Sequence, residues 1–327
     1  MRGFFWGKLG MGGDPELHIP HPLICHAIDT ANVADVLYGQ LIGPSCRKAI
    51  ERAFEPLGGT ARGWMAFFAG MHDVGKLSPA FFQAKRGDVA ARHLPEPAVL
   101  EVERLYALRV NSPGTDTFHG VLTAYHFLWL LEERGAARET ASLIAQAVGG
   151  HHGAFFDWQA VDVVARAPGD RGDQRWRSWV AQMADQVAGL VGVPWADQLP
   201  WSEVRLDTAA AVALAGLATI SDWVASHSVP RALHAGSGVD LGAYAAVSKD
   251  RARSTVVDEL RWKGWRPPED AEFGSLFGEK PRPVQAVVEA WWRIRWSPAC
   301  SSSRRPPAKV RRRRRSRQSA GWRGSSV

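Results

Sequence analysis

Met71-His72-Asp73-Val74-Gly75-Lys76 sets an imidazole and a carboxylate side by side, with a glycine and a lysine close behind. Such groups suit a divalent metal held beside a phosphate. Adjacent residues on a helix project about 100° apart, so both side chains reach one site only near a helix end or bend. Gly75 permits that bend. A surface His-Asp pair in an ordinary turn is the competing reading. The choice depends on whether the chain supplies further ligands.

Further ligands are present. His26 lies upstream in Leu-Ile-Cys-His-Ala-Ile-Asp-Thr, and His119, His151-His152-Gly153 and Ser221-Asp222-Trp223 follow downstream. Divalent metals take imidazole nitrogen and carboxylate oxygen. Two ions sharing a bridging carboxylate call for about six or seven such groups. His26, His72, Asp73, His119, His151, His152 and Asp222 make seven. Each has a plainer reading: His26 and His119 as single histidines at helix starts, and His151 and His152 as solvent-facing residues of a glycine loop. Asp222 is more telling, because it interrupts the apolar run Ala209 to Val224, where an unpaired carboxylate is costly to bury. His18, His21, His93, His126, His227 and His234 are left outside the set, with His126 read as a packing residue.

The surrounding pattern is helical. Apolar positions recur at helical spacing over 29–55, 62–70, 98–109, 119–134, 138–148, 173–190 and 207–226. No run of alternating strand character precedes residue 265, so the body reads as all-α. At 327 residues, 46% of them hydrophobic, the chain can bury a sizeable core. Most of the 15 tryptophans read as core, although some could stack on nucleic-acid bases. The apolar run Thr208 to Ile220 is short and Ala-rich, so a membrane span is not expected. Neither a signal peptide nor a disulfide framework is visible, the three cysteines being scattered, and a cytoplasmic location is expected.

The formal charge of +7 is a property of the tail. Residues 293–327 hold 12 Lys and Arg and no acid; removing those 12 from 40 leaves 28 basic against 33 acidic residues, a net of −5. Arg266 to Gly274 reads as a linker, and a new helix begins near Lys280. After Trp292 the chain is rich in Ser, Arg and Pro, with five consecutive arginines at 311–315, and disorder is expected there.

In combination these residues resemble a known family. His-Asp-Val-Gly-Lys, His-His-Gly and Ser-Asp-Trp-Val-Ala-Ser are similar to the HD-type nuclease domain of the CRISPR-associated nuclease–helicase of type I systems. Phe-Trp-Gly-Lys (5–8), His-Pro-Leu-Ile-Cys-His (21–26) and Lys76 to Gln83 add to the likeness, which covers roughly 1–290. The resemblance implies an all-α, HD-domain metal-dependent phosphohydrolase fold that cuts single-stranded DNA in antiviral defence. It implies one metal held by His26, His72, Asp73 and Asp222, and a second, bridged by Asp73, held by His119, His151 and His152. Lys76 is placed beside the scissile phosphate, so Asp73 and Lys76 are the expected catalytic residues. Iron, manganese, nickel or cobalt are the metals implied. An RNA-guided CRISPR surveillance complex and a separate helicase are the implied partners.

In that family a helicase follows the nuclease, and Arg282-Pro283-Val284-Gln285 is similar to its first motif. The expected phosphate-binding loop is missing, so no ATP site is expected in this chain. Ser301 to Arg314 can be encoded so that a shifted frame reads Val-Val-Glu-Ala-Pro-Pro-Gly-Glu-Gly-Lys-Thr-Glu-Ala. The expected division is therefore a nuclease domain over 1–265, a linker and helicase start over 266–292, and a frameshift-derived tail over 293–327. A functional arm that binds DNA phosphates is the rival for the tail. For the body, the rivals are a phosphohydrolase of nucleotides or cyclic nucleotides and a non-catalytic remnant or docking module.

Overall fold

The computed structural model describes residues 6–8, 21–84, 118–195, 198–227 and 240–261, with isolated positions between 278 and 286. The chain divides into a unit Met1–Gly264 and a unit Trp265–Val327, and nearly all described residues belong to the first. The helix expected over 98–109 and the tail over 293–327 lie outside the described residues, as do His18, His93 and His234. The same holds for the linker and helicase start over 266–292, the isolated positions apart.

The unit is all-α, as the periodicity predicts. Helices α1 (Leu23–Leu41), α2 (Pro44–Phe54), α3 (Ala61–Gly70) and α4 (Pro79–Ala84) precede α5 (His119–Glu133) and α6 (Arg138–Gly149). Then come α7 (Trp158–Ala165), α8 (Pro168–Arg171), α9 (Gln174–Val191), α10 (Thr208–His227) and α11 (Leu241–Arg253). The predicted helix over 29–55 is two helices. Pro44 has no N–H to donate and biases Gly43 toward extended backbone, seen here at φ −65°, ψ 155°. One departure concerns strands: Trp6–Lys8 (β1) pairs antiparallel with His21–Pro22 (β2). Strands of three and two residues are too short to show a period of two.

Helix α3 is apolar all round and lies in the interior, against α1, α2, α9 and α10. Thr60 caps it by accepting from the Gly63 N–H at 3.0 Å. Trp64, Phe67 and Phe68 pack on Phe54, Trp195 and Trp201, all six fully or almost fully buried. The Arg134 guanidinium caps this cluster 3.9 Å from the Trp195 ring centre. The core reading of the tryptophans holds for Trp64, Trp176, Trp195 and Trp201, while Trp223 is 60% exposed.

Helix α10 is longer than the apolar run that announces it. By length and composition Thr208–Ser226 would suffice to cross a membrane. Here it packs against α1, α3 and α6 and carries the buried Asp222.

His126 is fully buried in α5, and neither ring nitrogen has a hydrogen-bond partner among the described residues. Burial, with Arg177 and Arg171 nearby, pushes its pKa down to about 3. The unfolded chain therefore binds a proton near pH 6.5 that the native state refuses. The resulting stability is fully present above that pH and is lost as pH falls toward 3. His126→Phe should be neutral or stabilising at pH 7.5, since it removes two unpaired polar atoms. It should gain a further ~1 kcal/mol on the wild type by pH 5.5. Thermal unfolding of both proteins at the two pH values checks this; identical pH dependence would contradict it.

Candidate metal centre

Immediately after α3 the chain tightens into a 3-10 turn over Met71–Lys76. In this geometry residues three apart eclipse, which stacks Lys76 over Asp73. The Lys76 Nζ meets Asp73 Oδ2 at 2.5 Å and donates to the Gly7 carbonyl at 2.6 Å. His72 and Asp73 both point inward, fully buried or nearly so. The structure gives Gly75 a different role from the predicted bend: its φ is not positive. A Cβ there would lie 2.0 Å from the His119 carbonyl oxygen and 2.5 Å from the Thr123 N. Glycine lets the first turn of α5 lie directly on the His-Asp turn. A second close approach, between Gly120 and Gly149, brings α5 against the end of α6, where either Cβ would sit 2.5 Å from the other's carbonyl.

These contacts gather all seven predicted ligand residues around Asp73. His26 comes from the first turn of α1, His119 opens α5, His151 and His152 follow α6, and Asp222 comes from α10. Asp73 Oδ2 lies 3.4 Å from His26 Nε2 and 3.3 Å from His72 Nε2. Asp222 Oδ1 lies 3.1 and 3.5 Å from the same two nitrogens. The other oxygen, Asp73 Oδ1, lies 3.2 Å from His119 Nε2 and 3.5 Å from His151 Nε2. His152 Nε2 stands 3.1 Å from His119 Nε2. Two donor groups result: His26, His72, Asp73 and Asp222, all buried, and His119, His151 and His152, with His152 exposed.

Two of the imidazoles are oriented in the same way. His72 Nδ1 is 2.9 Å from the Ala69 carbonyl, and His151 Nδ1 is 2.9 Å from the Val148 carbonyl. A carbonyl only accepts, so each Nδ1 carries the proton, and a neutral ring keeps its lone pair on Nε2. Both acceptors are carbonyls of the last helical turn, where the intrahelical ladder ends.

Burial depresses the pKa of His26, His119 and His151 and lowers that of His152 to about 4, so these rings are neutral. For His72 burial acts the same way, but the charges of Asp73 and Asp222 outweigh it and raise the ring to about 9. Burial disfavours ionised Asp73, yet His72, Lys76, His119 and His151 hold it well below the usual carboxylate range. Asp222 is likewise held low by His26 and His72 against its burial.

The arrangement fits divalent cations. The donor atoms of each group lie within 4.8 Å of one another. Ligands about 2.0–2.2 Å from a common centre have that spread. Among the described residues the Nε2 atoms of His26, His72 and His151 are buried without a hydrogen-bond partner, and each faces a carboxylate oxygen. Buried polar atoms left unpaired in this way are rare unless an ion completes them.

Several supporting residues carry no signal in the sequence. The Thr123 hydroxyl accepts from the Gly75 N–H and donates to the His72 carbonyl, both at 2.9 Å. Thr219 donates to the His151 carbonyl at 2.7 Å, and Ser226 donates to Asp222 Oδ1 at 2.9 Å. A single hydroxyl in a helix is ambiguous until its neighbours across the fold are known.

The family model described as Cas3, HD domain, matches residues 6–229. A CRISPR-associated endonuclease/helicase Cas3 from Thermus thermophilus is 28% identical over 267 residues, which are 80% of this chain and 27% of that protein. The chain thus spans about a quarter of the length of that relative. A solved crystal structure of a CRISPR-associated protein is 28% identical with a TM-score of 0.62, covering 89% of this chain and 31% of that one. The Thermus thermophilus Cas3 HD domain crystallised in the presence of Ni2+ has a TM-score of 0.52 at 23% identity. It covers 81% of this chain and 94% of its own.

Gly75→Ala should separate the His-Asp turn from α5, because the added methyl overlaps backbone rather than a flexible side chain. A loss of about 1–3 kcal/mol or more is expected from such overpacking. Chemical denaturation measures it, and a stability equal to wild type would show that the two backbones are not in contact.

Proposed function

The chain belongs to the Cas3 HD-domain family of CRISPR-associated, metal-dependent nucleases, and on that premise we propose that it cleaves single-stranded DNA at a two-metal centre. The observation that carries this reading is the division of Asp73, whose two oxygens face different donor groups. In this reading His26, His72, Asp73 and Asp222 would hold one ion, and His119, His151 and His152 would hold a second, with Asp73 shared between them. Divalent ions at such a site supply Lewis acidity to a phosphodiester and generate hydroxide near neutral pH. The residues of the chain prepare the place. The Ala69 and Val148 carbonyls fix the rings of His72 and His151, much as acceptors beyond the ligands do in metal sites generally. Lys76 balances the Asp73 charge, and the proposed role beside the scissile phosphate rests on its match to the family motif. Exposed His152 marks the open side.

Iron and nickel suit the imidazoles of this set, manganese its two carboxylates, and cobalt falls between iron and nickel in affinity. Single-stranded DNA delivered by an RNA-guided surveillance complex is the proposed setting, in the cytoplasm. The CRISPR-associated endonuclease/helicase name of the Thermus relative supports a nuclease acting in a CRISPR system.

Metal-free protein should cut circular single-stranded DNA once manganese, nickel, cobalt or iron is added, and Asp73→Ala should abolish cutting, with thermal unfolding of the variant separating loss of the ligand from loss of the fold. Hydrolysis of small phosphoesters with DNA left intact would instead establish the nucleotide phosphohydrolase. Absence of metal uptake would leave only a docking module.

Metal uptake should also release protons. With its pKa near 9, His72 is protonated at pH 7.5 and must lose that proton to bind a metal. Calorimetric titration in buffers of different ionisation enthalpy should give about one proton released at pH 7.5, and clearly less above pH 9. No buffer dependence would contradict the assignment of His72.

A further inference from the structure

A second buried polar cluster lies next to the metal centre without sharing its ligands. Asp29, 1% exposed, is one helical turn beyond His26 on α1. Its carboxylate accepts from the Tyr244 hydroxyl at 2.8–2.9 Å and from the Ser248 hydroxyl at 2.6 Å. It also bonds His21 Nε2 at 2.9 Å. Asn32 extends the cluster, donating to the Ser248 hydroxyl at 3.0 Å and to the Ala245 carbonyl at 3.2 Å. Tyr244, Ala245 and Ser248 all belong to α11. A buried carboxylate with this many donors is held in one place, and it ties α11 to α1.

The link continues to the ligands. His21 opens β2, which pairs with β1, and its ring meets the His26 ring edge-on with centroids 6.2 Å apart. On β1, Gly7 lies so close to His26 that a Cβ would stand 2.8 Å from the His26 Cβ. The Gly7 carbonyl also receives Lys76, the partner of Asp73. His26 needs this outside support more than the other buried ligands. His72 and His151 are anchored through Nδ1, whereas His26 Nδ1 has no hydrogen-bond partner among the described residues. Its orientation is fixed by what packs around it.

We propose that Asp29, Tyr244 and Ser248 position His26 through His21 and the β1–β2 ribbon, and so couple helix α11 to one of the two metal sites. The proposal rests on the two-metal reading of the centre. Asp29 touches no ligand directly; it is a positioning residue. Loosening α11 should therefore weaken the ion held by His26, His72, Asp73 and Asp222. The ion held by His119, His151 and His152 should be spared.

The test uses the full chain and cobalt(II), followed by calorimetric titration and by the visible absorption of the bound ion. Ser248→Ala removes one donor from Asp29, Tyr244→Phe another, and Asp29→Asn the charge. Thr140→Val serves as a control for simple destabilisation. It removes a buried bond to the Val204 carbonyl at 3.0 Å, at the far end of α6 from His151. The expected result is a ~10–100-fold weakening of one of two cobalt sites, with a changed absorption band, in the Asp29-cluster variants only. Ser248→Thr, which keeps the hydroxyl, should restore wild-type affinity. Unchanged cobalt affinity and spectrum in the cluster variants would overturn the proposal, as would equal weakening in Thr140→Val. A wild-type chain that takes up no cobalt would overturn the metal-centre reading itself, and the proposal with it.

Discussion

The structure depends on placing one carboxylate, that of Asp73, out of water among partners that favour its charge. An isolated ionised carboxylate in an apolar interior is costly enough to protonate instead. Asp73 stays charged because Lys76 bonds one oxygen and four imidazoles from three helices and its own turn surround the pair. That requirement explains why helices so distant in sequence converge. α1, α5 and α10 each bring one donor and the segment after α6 brings two, most of them buried. The backbone meets the same requirement with glycines at the crossings, since the His-Asp turn, α5 and α6 approach more closely than any side chain allows.

Much of this was legible in the sequence, for reasons that differ by residue. The helix over 119–133 is long and periodic, so its existence and type follow from apolar spacing, whereas those over 61–70 and 208–227 are legible as apolar runs and that over 138–149 as a short Ala-rich one. Asp222 stood out because a carboxylate inside an apolar run needs an explanation. The structure supplies one in His26 and His72. The break at Gly43-Pro44 was written in the sequence as plainly as any feature, yet apolar periodicity continues across it and hides it.

What stayed hidden has a common cause. Thr123, Gly7, Asp29 and Tyr244 act through partners far away in sequence: Gly75 N–H, Lys76, α11 and α1. Their residue types fit many roles, and only tertiary proximity selects one. Gly75 shows the same limit from the other side. Its presence in the motif was visible, but the reason given for it, a bend, was not the physical one. The glycine serves a neighbour 44 positions away, His119, rather than its own dihedral angles. His21 was set aside as a bystander and is instead the link between a buried carboxylate and the ring of His26.

Charge balance in the pocket relates stability to chemistry. Asp73 and Asp222 contribute two negative charges, while Lys76 and protonated His72 contribute two positive ones, so the buried cluster neutralises itself. Paired opposite charges cost less to bury than a pocket of bare carboxylates would. The same balance sets the terms on which an ion enters. The proton on His72 occupies the nitrogen that a metal needs, so proton and metal compete for one lone pair. Lys76 does not compete in this way, since it holds Asp73 from the side of Gly7. One of the two compensating cations is thus exchangeable and the other fixed.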